Sequence, residues 1–464
     1  MTNPGANPSA NPSERLVDHA LSLRWSDVDP AAQAAARTFL HDSLCVGVAG
    51  RNAPFADAVL SAARLWGEGG VCSVLGRSDA CLPAPQAAFV NAFQIHSQEF
   101  DCVHEPAVVH PLATIVSALF AEVERSGPYS GEAVLTALVA GVDVSASLGV
   151  AASNPLRFFR PATAGIFGCV AALISLTKPD RQVALDAFGY ALSFASGSMQ
   201  AHVEGKATLP VQMGQAARNA VSALDLARAG LPGPSQSIDG RFGYLPLFEG
   251  AFDLDAALAD LGRRFRIAEV SWKPYPTGRA AQGCIVATEM LMRDHGLTPA
   301  TLERLTYSAP PIIHYLVGRP AVEGMSVAYA RLCAAWLSAV TLTRGRPVGL
   351  DDFSGASLAD PAVLDLAGRI EVVVNDNPDP AAFAPAEAVA RFTDGREVRL
   401  TLQAQFGAPD WPLSREQHLA KAAACLAFGG LPDIHAPLAA LIDQFDLLDD
   451  AARAFRLAAG RDDA

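Results

Sequence analysis

Apolar residues recur three and four positions apart from about residue 15 to residue 229, with polar residues between them. This spacing puts the apolar side chains on one face of a helix, so the first half of the chain is predicted to be a bundle of many helices. The predicted helices cover residues 31–50, 85–96, 112–124, 130–150, 163–176, 182–196 and 213–228.

The pattern changes after residue 230, where Pro, Gly and Ser cluster and β-branched residues alternate with polar ones. Asp394 and Gly395 stand between two alternating runs and favour a hairpin turn. The predicted strands are residues 264–270, 302–308, 369–374 and 397–405, and further helices are predicted at 278–295 and 325–339.

The fold class that follows is mainly α, with a large multi-helix domain and a smaller α/β lid domain. Because the chain returns to an Ala- and Leu-rich helical pattern near residue 414, the large domain is predicted to be discontinuous, covering residues 15–267 and 406–464. The lid domain covers residues 268–405. Residues 1–14, rich in Asn, Pro and Ser, are predicted to be a disordered arm.

Composition narrows the choice of partners and of cellular compartment. The net charge of −13 and the absence of a Lys/Arg run make nucleic acid and anionic membranes poor partners. Apolar runs are interrupted well before about 20 residues, so no transmembrane helix is expected. The eight cysteines form no CxxC pair and no signal peptide is recognisable, which indicates reduced thiols in a cytoplasmic protein.

A dense group of titratable residues lies between two apolar helical patterns. His96, Glu99, Asp101, His104 and His110 fall within one short segment of a chain that has ten histidines. A polar loop held between buried helices indicates an active site. The alternative is an ordinary interhelical loop with capping carboxylates and surface histidines. Metal binding is not expected, because the spacing of these residues across a proline-containing loop is not a recognised ligand spacing.

Four further segments carry polar residues. Taken singly, the first is explained equally well by a capped helix with solvated arginines and by a carboxylate receptor, and each of the other three is better explained by an ordinary surface turn or helix end. Their candidate residues are, in chain order, Arg157 and Arg160 before a helix start, His202 and Lys206 on one helical face, Arg279 after a proline-bounded turn, and Tyr315 in an apolar loop. Arginines beside free helix-end amides form a carboxylate receptor. Since no dinucleotide, ATP or zinc motif is found, no cofactor is expected, and the set fits acid–base chemistry on an anion.

The order of these segments resembles the MmgE/PrpD superfamily of 2-methylcitrate dehydratase and cis-aconitate decarboxylase. The matching stretches are a His loop at 96–103, a His-Pro pair at 110–111, a helix start at 160–168, a Lys-Pro-Tyr-Pro turn at 273–276 and a Tyr…Arg-Pro loop at 315–320. The resemblance implies a large helical domain, a smaller α/β lid, a homodimer and a cofactor-free site between the domains.

The departures from the family pattern point to one branch of the superfamily. Glu99 replaces the first loop aspartate, Arg160 replaces a catalytic histidine, and Gln282 replaces a histidine after the Lys-Pro-Tyr-Pro turn. The gain of Arg160 beside Arg157 suggests a more carboxylated substrate, as in the branch similar to iminodisuccinate epimerase. We therefore expect a cofactor-independent epimerase or racemase acting on a di- to tetracarboxylate. A lyase of the same superfamily and a non-catalytic polycarboxylate-binding protein are the alternatives.

The shared step in this superfamily is removal of a proton from the carbon next to a carboxylate. His110 is expected to be one proton-transfer group, with Lys206, His202 or Tyr315 on the opposite face. The residues expected to bind substrate carboxylates or to orient the loop around them are Arg160, Arg279, Arg157, His96, Glu99, Asp101 and His104.

Overall fold

The computed structural model of the chain describes residues 11–154, 156–379 and 381–461. The helices of the first part are α1 (Pro12–Ser22), α2 (Pro30–Gly50), α3 (Ala56–Trp66), α4 (Ala84–Ser97), α5 (Pro111–Ser126), α6 (Gly131–Ala151), α7 (Arg160–Thr163), α8 (Gly165–Thr177), α9 (Arg181–Phe194), α10 (Gln200–Glu204), α11 (Thr208–Arg228) and α12 (Leu254–Leu258). The later helices are α13 (Gln282–His295), α14 (Pro311–Val317), α15 (Val327–Ala330), α16 (Ala334–Arg344), α17 (Gly355–Leu358), α18 (Pro361–Ala367), α19 (Arg415–Phe428), α20 (His435–Asp443) and α21 (Ala452–Ala458). The mainly α fold class is confirmed.

Local side chains explain where several of these helices begin. Asp29 accepts a hydrogen bond from the Ala32 amide, and Pro30 follows it as the first residue of α2. Ser130 caps α6 in the same way through the Ala133 amide. Helices α2, α4, α5 and α6 correspond to predicted helices, namely those at residues 31–50, 85–96, 112–124 and 130–150. The predicted and observed ends differ by at most two residues.

The strands form two sheets. The strands are β1 (Cys72–Val74), β2 (Arg77–Leu82), β3 (Leu302–Ala309), β4 (Ile370–Val374), β5 (Ala386–Phe392) and β6 (Glu397–Leu402). The larger sheet has the order β4-β3-β5-β6, with β3 parallel to β4 and antiparallel to β5. The predicted hairpin is β5–β6, and Gly395 in its turn has a φ of 86°, which a glycine adopts without strain.

Two predicted elements differ from the structure, and one observed hairpin was not predicted. Residues 264–270, predicted as a strand, contain a 3₁₀ turn at Arg266–Glu269, and Phe265 and Ile267 of this segment pack in the helical core instead of pairing with a strand. The predicted helix at 325–339 is divided into α15 and α16. The β1–β2 hairpin, which lies within the helical part, was not predicted.

The buried apolar residues form two separate cores. The larger core contains buried residues from Leu16 to Val270 and continues with residues of α19, α20 and α21, including Leu426 and Phe455. The smaller core contains residues from Ala280 to Leu402, on one side of the four-stranded sheet and in α13 and α16. The C-terminal helices therefore pack on the first part of the chain.

The predicted N-terminal arm, residues 1–14, extends into a helix. Asn11 caps α1, which begins at Pro12, so residues 12–14 are helical and not disordered. Residues 1–10, the rest of the predicted arm, lie outside the described residues.

Among the residues that the structure describes, two helical spans are long and apolar enough to cross a membrane, where the sequence predicts none. They are Gly131–Ala151 and Arg160–Thr177. Inside the protein, however, 89% and 94% of their most apolar windows are buried, as in the core helices of many proteins. Length and composition alone therefore give little support for a membrane span.

The junction between α6 and the C-terminal helices gives a test of this packing. A Cβ on Gly131 would collide with the backbone carbonyl oxygen of Phe445. We expect Gly131→Ala to lower the free energy of unfolding by about 1–3 kcal/mol, the usual range for overpacking, in urea denaturation.

Gly355→Ala is the matched control. Gly355, like Gly131, is the first residue of a helix after a serine cap, but it has no heavy atom within 4 Å of an added Cβ. We expect this variant to be neutral or more stable by up to about 1 kcal/mol. Equal losses in the two variants would show that the Phe445 contact does not limit this position.

Candidate active site

The loop between α4 and α5 carries the titratable residues that the sequence singles out, and the backbone holds it in place. Glu99 and Val108 in this loop have φ values of 50° and 51°, which side chains with a Cβ rarely adopt. Val103 exchanges both backbone hydrogen bonds with Ser271, at 3.0 and 2.7 Å. The loop is therefore fixed against the segment that enters the second domain.

Asp101 is the centre of a buried cluster on this loop. Its Oδ2 atom lies 3.0 Å from Nδ1 of His96 and 3.1 Å from Nδ1 of His110. The two rings are nearly perpendicular, with centroids 4.9 Å apart. One carboxylate oxygen is thus shared by two imidazoles, which fixes the orientation of both rings.

Lys273 brings a positive charge to the same cluster from the segment between the domains. Its Nζ atom lies 2.9 Å from Oε2 of Glu99 and 3.6 Å from Oδ1 of Asp101, and its side chain is completely buried. Burial favours a raised pKa for Glu99, but Lys273 and the two histidines outweigh it and lower the pKa of Glu99 to about 2. Burial also opposes ionisation of Asp101, whose pKa the histidines and Lys273 hold well below its usual value.

The pKa values of the two histidines are shifted in opposite directions. Burial lowers the pKa of His96, but the carboxylates of Asp101 and Glu99 outweigh it and raise that pKa above its usual value. For His110 burial prevails, and its pKa is lowered. Environments that separate the pKa values of two neighbouring groups provide an acid and a base in one site.

The tautomer of His110 follows from its acceptors. Nδ1 of His110 lies 3.1 Å from the carbonyl oxygen of Cys102 as well as 3.1 Å from the Asp101 carboxylate. Both of these groups only accept hydrogen bonds, so Nδ1 carries the proton and the neutral ring has its lone pair on Nε2. His110 lines a cavity, and Nε2 is the nitrogen that can accept a proton there.

Helix α19 contacts the loop between α4 and α5 through Lys421. Nζ of Lys421 lies 2.8 Å from the carbonyl oxygen of Phe100 and 2.8 Å from Oδ1 of Asp42, and it sits over the Phe100 ring. Lys421 and Asp42 are both buried. This ion pair therefore holds the backbone directly before Asp101.

Two adjoining cavities open at the histidine cluster. The smaller has a volume of about 70 Å³ and lies between the two cores, with His96, His110 and Phe159 on one side and Arg279 and Leu332 on the other. The larger has a volume of about 620 Å³, which is within the usual range of small-molecule sites. The residues that line both cavities are His96, Glu99, Leu209 and Leu332.

The structure brings six of the predicted site residues to these cavities. The smaller cavity is lined by His96, Glu99, His110, His202 and Arg279, and the larger by His96, Glu99 and Lys206. Lys206 is exposed. Asp101 stands behind the two histidines. The helix-start segment beside Arg160 also reaches the smaller cavity, through Phe159 and Pro161.

The arginines predicted to hold substrate carboxylates have protein partners instead, which corrects that expectation. Nε and Nη2 of Arg160 lie 2.9 and 2.8 Å from the two carboxylate oxygens of Glu249, and Nη1 donates to the Ala107 carbonyl at 3.1 Å. Nε of Arg279 lies 2.6 Å from Oε1 of Glu105, and its other nitrogens donate to backbone carbonyls. The charges of Arg160 and Arg279 are therefore neutralised within the protein.

Four other predicted residues occupy places that do not suit a direct role. Both ring nitrogens of His104 are used, by Glu269 at 2.8 Å and by the Ala107 amide at 3.2 Å. Arg157 is exposed. Nε2 of His202 accepts a hydrogen bond from Arg319 at 2.9 Å, and Tyr315 stacks against the same ring but is 52% exposed. Burial and Arg319 lower the pKa of His202 to about 4.

Lys273, Arg331 and Lys421 are site residues that the sequence did not single out. Lys273 precedes the proline-bounded turn but was considered only as part of it. Arg331 is a lone charge in an otherwise apolar stretch, and this was the available signal. Lys421 lies in an amphipathic helix and gave no such signal.

The donor set of the cluster fits proton transfer better than it fits a metal ion. His96, Asp101 and His110 offer ligand atoms within 4.8 Å of one another, which is close enough to hold an ion. However, the Lys273 ammonium group lies beside the same carboxylate and repels a cation. The two Nδ1 atoms also share one carboxylate oxygen as their hydrogen-bond acceptor.

The described fold places a histidine loop between a helical domain and a smaller α/β domain, and comparison with known families assigns both domains. The MmgE/PrpD N-terminal domain matches residues 14–257 and the MmgE/PrpD C-terminal domain matches residues 275–432, so the chain belongs to the MmgE/PrpD family. Cis-aconitate decarboxylase of Mus musculus is 25% identical over 443 residues, which cover 90% of this chain and 87% of that protein. Cis-aconitate decarboxylase of Homo sapiens is 26% identical over 361 residues, or 74% and 72% of the two chains.

The shared carboxylate gives a titration test. We expect Asp101→Asn to lower the pKa of His96, because the Asp101 charge is the largest of the effects that raise it. Histidine-labelled protein titrated by NMR measures this change. The control is Asp143→Asn, which removes another buried carboxylate, 3.1 Å from His19, and should leave the His96 titration unchanged. An unchanged His96 pKa in Asp101→Asn would contradict the proposed coupling.

Proposed function

We propose that this enzyme moves a proton at the carbon next to a carboxylate in a polycarboxylate metabolite, with His110 as the proton-transfer group, and that it does so as a lyase. The observation that carries the proposal is the pair of histidines on one buried carboxylate, with His110 neutral and at the edge of a cavity between the domains. A positioned base of this kind contributes about 10²–10⁴-fold to a rate.

The proton balance of the reaction is simple. In proton removal, Nε2 of His110 takes the proton and the electron pair stays on the substrate as an enediolate. The pair then forms a double bond as hydroxide leaves the neighbouring carbon, and the proton on Nε2 of His110 passes to that oxygen, so that it departs as water. In decarboxylation the order is reversed: the bond to carbon dioxide breaks first, and the carbanion takes a proton from the imidazolium form of His110, which the neutral ring reaches by taking a proton from solvent. In both directions His96 and Lys273 keep Asp101 ionised, so that Asp101 stabilises the His110 imidazolium.

Two considerations favour a lyase over an epimerase. The relatives that match this chain are named as decarboxylases of cis-aconitate. In addition, the argument for an epimerase depended on Arg160 as an extra carboxylate receptor, and Arg160 is paired with Glu249. We therefore propose a decarboxylase or dehydratase of a tricarboxylate as the first candidate.

An epimerase acting on a substrate such as iminodisuccinate is the second candidate, and Lys206 supports it. Inversion needs a second proton-transfer group on the face of the carbon opposite to His110. Lys206 lines the larger cavity, which meets the smaller one at His96 and Glu99.

The homodimer and the cytoplasmic location stay predictions.

One experiment separates the candidates. The protein is incubated in deuterated water with cis-aconitate, citrate, tricarballylate and iminodisuccinate, and the products are followed by NMR. We expect a new alkene with release of carbon dioxide or water from one of the first two compounds. Deuterium incorporation with inversion in iminodisuccinate would establish the epimerase instead. No conversion and no exchange with any of the four would contradict the proposed function.

The role of His110 has its own test. We expect His110→Gln to reduce turnover and solvent-deuterium exchange by about 10²–10⁴-fold while the protein stays folded, because the amide cannot accept the proton. His314→Gln is the control, since His314 is exposed and lines neither of the two cavities. Near-normal exchange in a folded His110→Gln variant would remove His110 from the mechanism.

A further inference from the structure

Arg331 differs from the other buried arginines of the described residues. Three of them have a carboxylate oxygen within 4.0 Å, and these pairs are Arg160–Glu249, Arg266–Glu269 and Arg279–Glu105. Arg331 is 2% exposed and has no such partner among the described residues. A buried charge without a counter-ion is costly, so an arginine in this situation calls for an explanation.

The contacts of Arg331 are all with neutral groups. Its Nη1 atom donates to the backbone carbonyls of Gln98 and Pro276, each at 2.6 Å, and Nη2 donates to the side-chain oxygen of Gln98. The ring of Phe353 covers one face of the guanidinium group, 3.8 Å from Cζ. Nε has no hydrogen-bond partner. These contacts hold the group in position without neutralising it.

One edge of the guanidinium group remains without an acceptor. A guanidinium group has five N–H donors, of which these contacts use three. The remaining donors are Nε–H and one hydrogen on Nη2, and together they form the edge that binds a carboxylate in a bidentate manner. Arg160 uses the same two nitrogens for both oxygens of Glu249, at 2.9 and 2.8 Å.

Arg331 also lies in the right part of the molecule. It lines the larger cavity together with Lys206, Glu99 and His96. Its hydrogen bonds to Gln98 attach it to the loop that carries the histidine cluster, while Arg331 itself directly follows α15 of the smaller domain. Lys206 and Arg331 are the lysine and arginine side chains that line this cavity.

We propose that Arg331 binds a substrate carboxylate that does not take part in the reaction, through its Nε and Nη2 edge, and that Lys206 at the rim assists it. This inference rests on the proposed function, since it assigns the carboxylate-binding part of the same site. It makes the larger cavity a receptor for the carboxylate on the middle carbon of a tricarboxylate, while the reacting carbon faces His110. Arg331 thereby takes the role that the sequence had assigned to Arg160 and Arg279.

The test compares the binding of two ligands that differ by one carboxylate. This measurement does not depend on turnover. Tricarballylate has three carboxylates on a three-carbon chain, and glutarate has only the outer two. Calorimetry gives the affinity of the full-length protein for each, and we expect the wild type to prefer tricarballylate. In Arg331→Gln we expect the affinity for tricarballylate to fall by about ten- to hundredfold, and the preference over glutarate to shrink strongly.

Control variants distinguish a binding role from a structural one. Arg266→Gln removes another buried arginine that lines neither of the two cavities, and we expect it to lower the melting temperature without changing the ligand preference. Arg331→Lys keeps the positive charge but lacks the bidentate edge of the guanidinium group. If Arg331→Gln does not fold, Arg331→Lys takes its place in the comparison. We expect the lysine variant to keep part of the preference.

The outcomes separate this inference from the proposed function. An equal loss of affinity for both ligands in the Arg331 variants, or no loss for either, would overturn the carboxylate-binding role while leaving the chemistry at His110 intact. A wild-type protein that neither binds nor converts any polycarboxylate would overturn the proposed function itself.

Discussion

The ionised carboxylate of Asp101 is the group on which the candidate site depends. It is completely buried, and such a charge is tolerated only when cations and hydrogen-bond donors surround it. His96, His110 and Lys273 meet this requirement, and each is constrained in return. Because Asp101 and Glu99 together raise the pKa of His96 while burial lowers the pKa of His110, two identical side chains acquire different chemical properties a few ångströms apart.

The same rule explains why most arginines near the site are not available to a ligand. A guanidinium group buried during folding needs a counter-ion, and Glu249 and Glu105 supply it for Arg160 and Arg279. Substrate recognition then depends on the few cations left without an internal partner. The positions of such cations are well suited to decide which carboxylate enters and how it is oriented.

Much of the fold could be predicted from the chain because the signals are local. Helical spacing, the Ser130 and Asp29 caps and the Asp394–Gly395 turn each act within a few residues. The histidine loop was also visible for this reason. The partners of Arg160 could not be predicted, since Glu249 lies 89 residues away and nothing local links the two. The role of Lys273 in the cluster could not be predicted either, because it depends on the contact between Val103 and Ser271, which forms only in the tertiary structure.

The contact between Lys421 and the carbonyl oxygen of Phe100 has a consequence for biosynthesis. The ribosome makes the chain from its N-terminus, so the bundle around α4 and α5 can form while α19 is still untranslated. The backbone in front of Asp101 receives its final support only after residue 421 has left the exit tunnel. Until α19 has been translated, the loop that carries the histidine cluster therefore lacks this contact.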